Sequence, residues 1–175
     1  MVRCVLGLVQ RRWAVAVCAG LLWVGQARRP STVPSSSQAI SPKCGSRDTQ
    51  VVVRSAARRM YLCERGHVAK TYRVGLGSRG VGKRKEGDKK TPVGQYRLSP
   101  SRPSVSGVRT FIHVGYPTLK QRRAGYTGGA IGIHGPSRNG RLRSTQGCIA
   151  VRTNDEIDEI AAWVDDNRVR RISIE

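Results

Sequence analysis

Glycine and proline interrupt the body of the chain at short intervals, and this spacing constrains the fold more than any other feature. The segments that they punctuate between residues 77 and 129 are GSRGVG, TPVGQY, SPSRPSVSG, VGYP and AGYTGG. Because both residues end regular structure, only short strands fit between the breaks. Many short strands are typical of an all-β sandwich or barrel and not of βαβ repeats. We therefore predict a mainly β fold, an irregular sandwich or barrel.

Two apolar runs near the start of this body predict a hairpin. The runs RRMYLCE and HVAKTYRV are separated by Arg65 and Gly66, a pair suited to a tight turn. Near the end of the chain, Ile172 and Ile174 alternate with polar residues, which indicates a closing strand.

One segment near the C-terminus, TNDEIDEIAAWVDDN, predicts a helix. Thr153 and Glu156 are spaced as a capping box, in which each side chain bonds the backbone amide of the other residue. The apolar residues recur at helical spacing and form one face: Ile157, Ile160, Ala161 and Val164. We expect this helix to pack near the functional loop that precedes it.

The first 27 residues have the order of a secretory signal. Three arginines lie within the first twelve residues, thirteen uncharged residues follow, and GQA ends at Ala27. A bilayer span needs roughly 20 residues, so we expect cleavage and export to the periplasm or cell envelope, with membrane contact only through this signal. An uncleaved anchor is the alternative. Residues 28–47 are rich in Pro and Ser, and we interpret them as a linker before a domain at 48–175.

The formal charge of +21 predicts attraction to polyanions. Residues 47–152 hold 23 basic residues against four acids, which suits nucleic acid, an anionic membrane surface or an acidic cell-wall polymer. Export argues against nucleic acid, and so does an aromatic content of 5%, which is low for base stacking. The densest run, GKRKEGDKK at 82–90, is either a solvated loop or a polyanion contact.

The cysteine count indicates one free thiol. Without the signal, three of the five cysteines remain, namely Cys44, Cys63 and Cys148. Cys44 and Cys63 can pair in an oxidising compartment, which leaves Cys148 alone, although the sequence does not prove the pairing.

Cys148 is either a buried filler residue or a nucleophile. Free cysteine is among the most buried residue types, but the stretch IGIHGPSRNGRLRSTQGCIAVRTN also offers a base. His134 ends a predicted strand that Gly135 and Pro136 break at once. A thiol needs such a base, or nearby positive charge, to react near neutral pH.

The neighbours of Cys148 in the sequence fit the second interpretation. Four basic residues surround it and are expected to lower its pKa: Arg138, Arg141, Arg143 and Arg152. Gly147 has no Cβ and lets a substrate carbonyl approach the backbone. The amides of Gly147 and Cys148 are then placed to form an oxyanion hole.

The segment IGIHGP…STQGCIAVRTN resembles the active-site signature of the L,D-transpeptidase catalytic domain family, also called the YkuD domain. That signature has a histidine followed by Gly or Ser, a variable loop, then Ser/Thr-x-Gly-Cys and an apolar residue. Three other stretches are similar to the family: the opening hairpin at 51–77, EGDKKTPVGQYRL at 86–98, and the run into the histidine at 116–135. The resemblance covers about residues 48–175.

The resemblance implies a role for each matching residue. Cys148 is the nucleophile that takes the acyl group, and His134 is its base. The backbone carbonyl of Gly135 orients the imidazole, and backbone amides near Gly147 and Cys148 bind the oxyanion. The implied fold is a mainly β sandwich with the cysteine loop at one end and a helix packed after it.

The substrate-binding side is expected to involve Ser144, Gln146 and Arg152. Many family members have histidine where this chain has Gln146, and Arg or Asn where it has Ala150. These differences concern the acceptor side of the site more than the acylation chemistry. The other two histidines, His67 and His113, are expected to be structural.

The resemblance implies an exported cysteine acyltransferase that cross-links peptidoglycan stem peptides through a thioester. It further implies no metal or organic cofactor, inhibition by carbapenems, and peptidoglycan as the partner; we expect a monomer. Two alternatives remain. One is a hydrolase on the same scaffold, an L,D-carboxypeptidase or endopeptidase, and the other is an inactive module that binds cell-wall polyanions.

Overall fold

The computed structural model describes residues 41–103, 109–136 and 144–175. The predicted signal at 1–27 and residues 28–40 of the predicted linker lie outside these ranges. The described residues form ten elements: β1 (Gln50–Arg54), β2 (Arg59–Glu64), β3 (His67–Arg73), β4 (Gly94–Pro103), β5 (Thr110–Val114), α1 (Leu119–Arg123), β6 (Gly132–His134), β7 (Ile149–Ala150), α2 (Asn154–Asp166) and β8 (Arg171–Ile174). None of the helices in these ranges is long and apolar enough to cross a membrane.

The strands form one curled sheet in the order β3-β2-β1-β8-β4-β5-β6-β7. The predicted closing strand β8 is central, parallel to β1 and antiparallel to β4. The prediction of a mainly β fold is confirmed. The sheet places β6 and β7, which flank the His134–Cys148 stretch, at one end.

The predicted hairpin is present. β2 and β3 pair antiparallel, and the two turn residues have positive φ, 49° at Arg65 and 87° at Gly66. Two positive φ values are typical of the type I′ turn, whose twist matches that of the strands it joins.

The predicted C-terminal helix is α2, which the structure begins at Asn154. The Thr153 hydroxyl accepts from the Glu156 amide, and the Glu156 carboxylate accepts from the Thr153 amide. The predicted apolar face is buried and packs against β4 and β5: Ile157, Ile160, Ala161 and Val164.

The five-residue helix α1 was not predicted from the sequence. It buries none of its residues, so LKQRR has no apolar period to detect. A capping box between Thr118 and Gln121 begins it, and this local signal marks its start.

Cys44 and Cys63 form a disulfide with a Cα–Cα distance of 5.7 Å. Together with Val52 and Tyr61 they make a small cluster separate from the main core. Among the described residues, Cys148 is the one free cysteine.

Candidate active site

Parallel pairing of β6 and β7 brings the strand that carries the candidate base beside the segment that carries the candidate nucleophile. Ile133 aligns with Ile149 and His134 with Ala150. Ile133 and Ile149 are completely buried in the core. Because side chains alternate along a strand, His134 and Ala150 lie on the face opposite Ile133 and Ile149, and Cys148 directly precedes β7 at this end of the sheet.

The imidazole of His134 is held by the next residue in the chain. Its Nδ1 lies 2.7 Å from the carbonyl oxygen of Gly135. A carbonyl can only accept, so Nδ1 carries the proton and donates it. The neutral ring therefore presents Nε2 as its basic nitrogen. This is the orientation that the resemblance implied for Gly135.

Gly135 also allows α2 to approach closely. A Cβ at this position would lie 2.9 Å from Cγ2 of Ile157 and 3.0 Å from Oδ1 of Asn154. The loop that orients His134 is therefore packed directly against the first turn of the helix.

Phe111 forms a wall beside the imidazole. It aligns with His134 across β5 and β6, and the two rings are 9° from parallel with centroids 6.3 Å apart. Its ring also covers Gly132, where an added Cβ would lie 2.3 Å from Cζ of Phe111. Glycine at 132 therefore permits the ring to lie beside the base. Sequence reasoning missed both residues because it did not establish which strand pairs with β6.

The Cys148 thiol is half-buried and donates to the carbonyl oxygen of Ala130, with Sγ and O 3.4 Å apart. Ala130 has a φ of 52°, in the left-handed region that non-glycine residues seldom adopt. The residue with this unusual backbone conformation is thus the one whose carbonyl oxygen accepts the hydrogen bond from the thiol.

Burial raises the pKa of the Cys148 thiol above its ordinary value, while a hydrogen bond from the Gly132 amide and the charge of Lys83 act in the opposite direction. Desolvation outweighs both of these effects, so the net shift of this pKa is upward, and the lowering predicted from the four arginines stays a prediction. Of the arginines invoked, Arg152 is exposed, and those at 138, 141 and 143 lie outside the described residues. A protonated thiol of this kind requires a base.

Lys83 is a charged residue of the site that sequence reasoning did not single out. It is only 5% exposed, and its ammonium lies 2.9 Å from Oδ1 of Asp88. The same carboxylate accepts from three backbone amides, those of Arg84, Lys85 and Lys90. Burial alone would raise the pKa of Asp88, but these bonds, with that from Lys83 the largest, hold it well below its ordinary range.

The ion pair organises the segment 83–91. This segment packs against residues 144–148, the loop that ends at Cys148 and is called the cysteine loop below. Gly147 has a φ of +138°, and a Cβ there would lie 2.8 Å from the Lys90 carbonyl oxygen and 3.0 Å from Cδ1 of Ile131. Gly147 is therefore required by close packing. Lys83, one member of the basic run at 82–90, is therefore neither part of a solvated loop nor a surface contact. Its ammonium is buried in an ion pair.

The Thr145 side chain makes two hydrogen bonds within the cysteine loop. Its hydroxyl donates to the Cys148 carbonyl oxygen at 2.6 Å and accepts from the Gly147 amide at 3.0 Å. The Gly147 amide is thus already engaged, whereas the Cys148 amide makes no hydrogen bond to another described residue. Of the two predicted oxyanion donors, the Cys148 amide is the one that is free to act.

Residues 75–78 hold this loop from the side opposite β6. Gly75 and Ala150 exchange backbone hydrogen bonds of 2.8 and 2.9 Å. Thr145 donates to Leu76 and accepts from Ser78, both at 2.9 Å. The cysteine loop is therefore fixed by backbone bonds on either side of Cys148.

The three residues predicted to bind substrate are all exposed: Ser144, Gln146 and Arg152. The Arg152 amide donates to the Glu156 carboxylate at 2.7 Å, which fixes its backbone at the start of α2. Their substrate contacts stay a prediction. Of the other histidines, His67 is half-buried on β3 and His113 is exposed on β5.

A sequence model of the L,D-transpeptidase catalytic domain (YkuD) matches residues 48–172. Among solved structures, the helical cell shape determining protein Pgp2 from Campylobacter jejuni is similar, with a TM-score of 0.62 and 31% identity, covering 71% of this chain and 46% of that chain. Bd1075 from Bdellovibrio bacteriovorus has a TM-score of 0.56 and 24% identity, with coverage of 74% and 48%. No curated protein sequence matches.

An L,D-transpeptidase of Enterococcus faecium has a TM-score of 0.51 and 15% identity, covering 73% of this chain and 50% of its own. At such identity, this likeness and that to Bd1075 show the fold alone. This chain spans about half the length of these solved structures, 46–50%.

Proposed function

Because the chain belongs to the L,D-transpeptidase catalytic domain family, we propose that it is a cysteine acyltransferase that cross-links peptidoglycan stem peptides. The observation that supports the proposal is the pairing of β6, which carries His134, with β7, which Cys148 directly precedes, together with the hydrogen bond from Nδ1 of the imidazole to the Gly135 carbonyl oxygen. A base with Nε2 available beside a protonated thiol is the arrangement that nucleophilic catalysis needs.

In the first half-reaction, Sγ of Cys148 attacks the carbonyl carbon between an L-centre and the following D-amino acid. Nε2 of His134 takes the thiol proton, and the Cys148 amide donates to the oxyanion that forms. The tetrahedral species then expels the amine of the D-amino acid, which receives the proton from the imidazolium. The product is a thioester on Cys148.

In the second half-reaction, the amine of another stem attacks the thioester carbon. Nε2 of His134 removes a proton from that amine, and the sulfur leaves and regains a proton from the imidazolium. The new amide bond is the cross-link, and the enzyme returns to its starting state without a cofactor in any step.

The thiol has to turn before it can react. In the structure it donates to Ala130, so the S–H group has to turn away from that carbonyl oxygen, by rotation about the Cβ–Sγ bond, before its proton can pass to His134. Catalytic hydrogen bonds often shorten only when substrate binds, and we expect substrate to favour this rotation.

The exposed residues beside the loop are the proposed substrate contacts. Ser144, Gln146 and Arg152 lie just before and after Cys148 in the chain. We expect Gln146→Ala to change acceptor use or KM more than the rate of acylation, because an amide can hydrogen-bond substrate but cannot accept a proton at working pH.

The proposed setting is the cell envelope, which the basic, apolar and small-residue order of residues 1–27 supports. N-terminal sequencing of the exported protein is the test. We expect cleavage after Ala27, and an intact Met1 on a membrane-bound protein would contradict it.

Product analysis tests the reaction itself. The full chain is incubated with purified disaccharide-tetrapeptides, and the products are separated and weighed by mass spectrometry. We expect cross-linked dimers together with the released D-amino acid, and neither with Cys148→Ala. Tripeptides without dimers would identify the hydrolase, and unchanged tetrapeptides would leave only the polyanion-binding module.

A further inference from the structure

A groove of about 620 Å³ lies away from Cys148 and is lined by residues of β4, β8, the helix α1 and the loop 44–48. In the sheet, β5 separates these strands from β6 and β7. The groove shares no lining residue with the surroundings of Cys148 described above. Its volume is within the range of ligand sites, roughly 300–1,000 Å³.

The charges in the groove do not balance. Arg171 is paired with Asp48 at 2.9 Å, and Glu175 is paired with Arg54. The two remaining arginines of the lining, Arg97 and Arg122, are both exposed. Neither makes a side-chain hydrogen bond or ion pair with another described residue. The groove therefore offers two guanidinium groups, ten possible N–H donors by their chemistry, to an anionic ligand.

The helix α1 is fixed so that its side chains line the groove. The capping box of Thr118 begins the helix, and the Gln121 amide nitrogen donates to the Tyr96 hydroxyl at 3.0 Å. Leu119 and Arg122, three residues apart and hence on one side of the helix, both line the groove. Leu119 is 59% exposed and is one of two exposed large hydrophobic residues among the described residues.

We propose that this groove binds a peptide carboxylate, with Arg97 and Arg122 as its partners and Leu119 against an apolar side chain next to it. Guanidinium groups match carboxylates in geometry and charge. The identity of the peptide rests on the proposed function: the stem peptides of peptidoglycan carry free carboxylates beside alanine methyl groups. The groove would hold the polymer while a stem occupies the site at Cys148.

The alternative explanation for wall binding is the overall charge of +21, which would act without any particular site. A matched pair of arginines separates the two. Arg59 and Arg73 are exposed, aligned with each other on β2 and β3, and absent from the groove. Replacing either pair by Gln removes two positive charges, but only one replacement alters the groove.

Binding is measured by co-sedimentation of the full chain with purified peptidoglycan sacculi. All proteins carry Cys148→Ala, so that binding does not depend on catalysis. We expect the pair R97Q and R122Q to weaken binding about tenfold, and the pair R59Q and R73Q to weaken it much less. Sacculi whose carboxylates have been amidated should bind all variants alike. The single variant Arg122→Gln, on the exposed side of a five-residue helix, should show a smaller loss in the same direction and guards against misfolding of the double variant.

Equal losses from the two arginine pairs would overturn the proposal in favour of diffuse charge. A difference that persists on amidated sacculi would overturn the carboxylate as ligand. Failure of the proposed reaction is seen separately, because the Cys148-containing parent is tested for product formation on soluble tetrapeptides, where the groove variants should turn over at the parent rate.

Discussion

Nδ1 of His134 lies 2.7 Å from the carbonyl oxygen of Gly135, and this contact decides which nitrogen of the ring can take a proton. The base comes from one strand end and the thiol from the loop before the next strand, and the parallel pairing of β6 and β7 brings these two segments side by side.

Loss of His134 should therefore slow acylation strongly. A positioned base contributes roughly 10²- to 10⁴-fold in rate, so we expect His134→Ala to lower the acylation rate by about that factor. His67→Ala and His113→Ala are the matched controls and should lose much less. The measurement is single-turnover acylation by a carbapenem across pH 5–9. Parent-like acylation by His134→Ala, with Gln146→Ala inactive, would mean that the base is wrongly assigned.

The Cys148 thiol should ionise at higher pH in the folded protein than in the unfolded chain, because burial raises its pKa. The difference in thiolate absorbance near 240 nm between the parent and Cys148→Ser gives its titration, and the same difference in denaturant gives the reference. The folded state favours the protonated thiol. The contribution of this preference to the free energy of unfolding is therefore complete below the pKa of the unfolded chain and is lost as pH rises through the pKa of the folded protein. A folded midpoint below the unfolded one would contradict the burial argument.

Removing the Lys83 ammonium should change both the free energy of unfolding and the pKa of the Cys148 thiol. Lys83→Met leaves the Asp88 carboxylate unpaired, which should cost about 3 kcal/mol of unfolding free energy, near the lower end for buried pairs because Asp88 is partly exposed. The thiol pKa should rise further. Denaturant unfolding and thiolate titration check the two effects.

The double variant K83M and D88N is the control for that pair. It removes both charges, so it should recover part of the lost stability. The pKa of Asp88 is held low in the fold, so the stability from its ionisation is present above the unfolded pKa and is lost as pH falls through the folded one. The parent should therefore lose stability on acidification more steeply than the double variant. Parallel plots of unfolding free energy against pH for the two proteins would exclude a contribution from the ionised Asp88.

Gly147→Ala should damage the cysteine loop. The added Cβ would lie 2.8 Å from the Lys90 carbonyl oxygen at a φ of +138°, so backbone strain and overpacking together should cost at least about 2 kcal/mol. Gly125→Ala is the control, because its φ of +79° carries strain but nothing lies within 4 Å of the added Cβ. We expect acylation to be lost only at position 147. Equal effects of the two substitutions on acylation would show that packing at Gly147 is unimportant.

Features encoded by neighbouring residues could be predicted from the sequence. The capping box of Thr153 and Glu156 and the turn at Arg65 and Gly66 each depend on a few adjacent residues, and both predictions are confirmed. The mainly β fold followed from the density of chain breaks in the same way.

Features that depend on pairing between distant segments could not be predicted. Nothing near Phe111 in the chain indicates that its ring lies beside His134, since that contact depends on the register of β5 and β6. Lys83 lies within a basic run, and only the fold shows that its ammonium is buried against Asp88. The rise in the Cys148 pKa could not be predicted for the same reason, because burial is a property of the assembled sheet and loops.

The central claim is that Cys148 carries the acyl group, and trapping the intermediate tests it most directly. The full chain is mixed with a disaccharide-tetrapeptide donor in single turnover, quenched in acid, digested and mapped by mass spectrometry. We predict that the mass of the donor without its terminal D-amino acid is attached to the peptide that contains Cys148, and that His134→Ala accumulates it far more slowly. Product formation with no acyl group on Cys148, or with the adduct on another residue, would contradict the account.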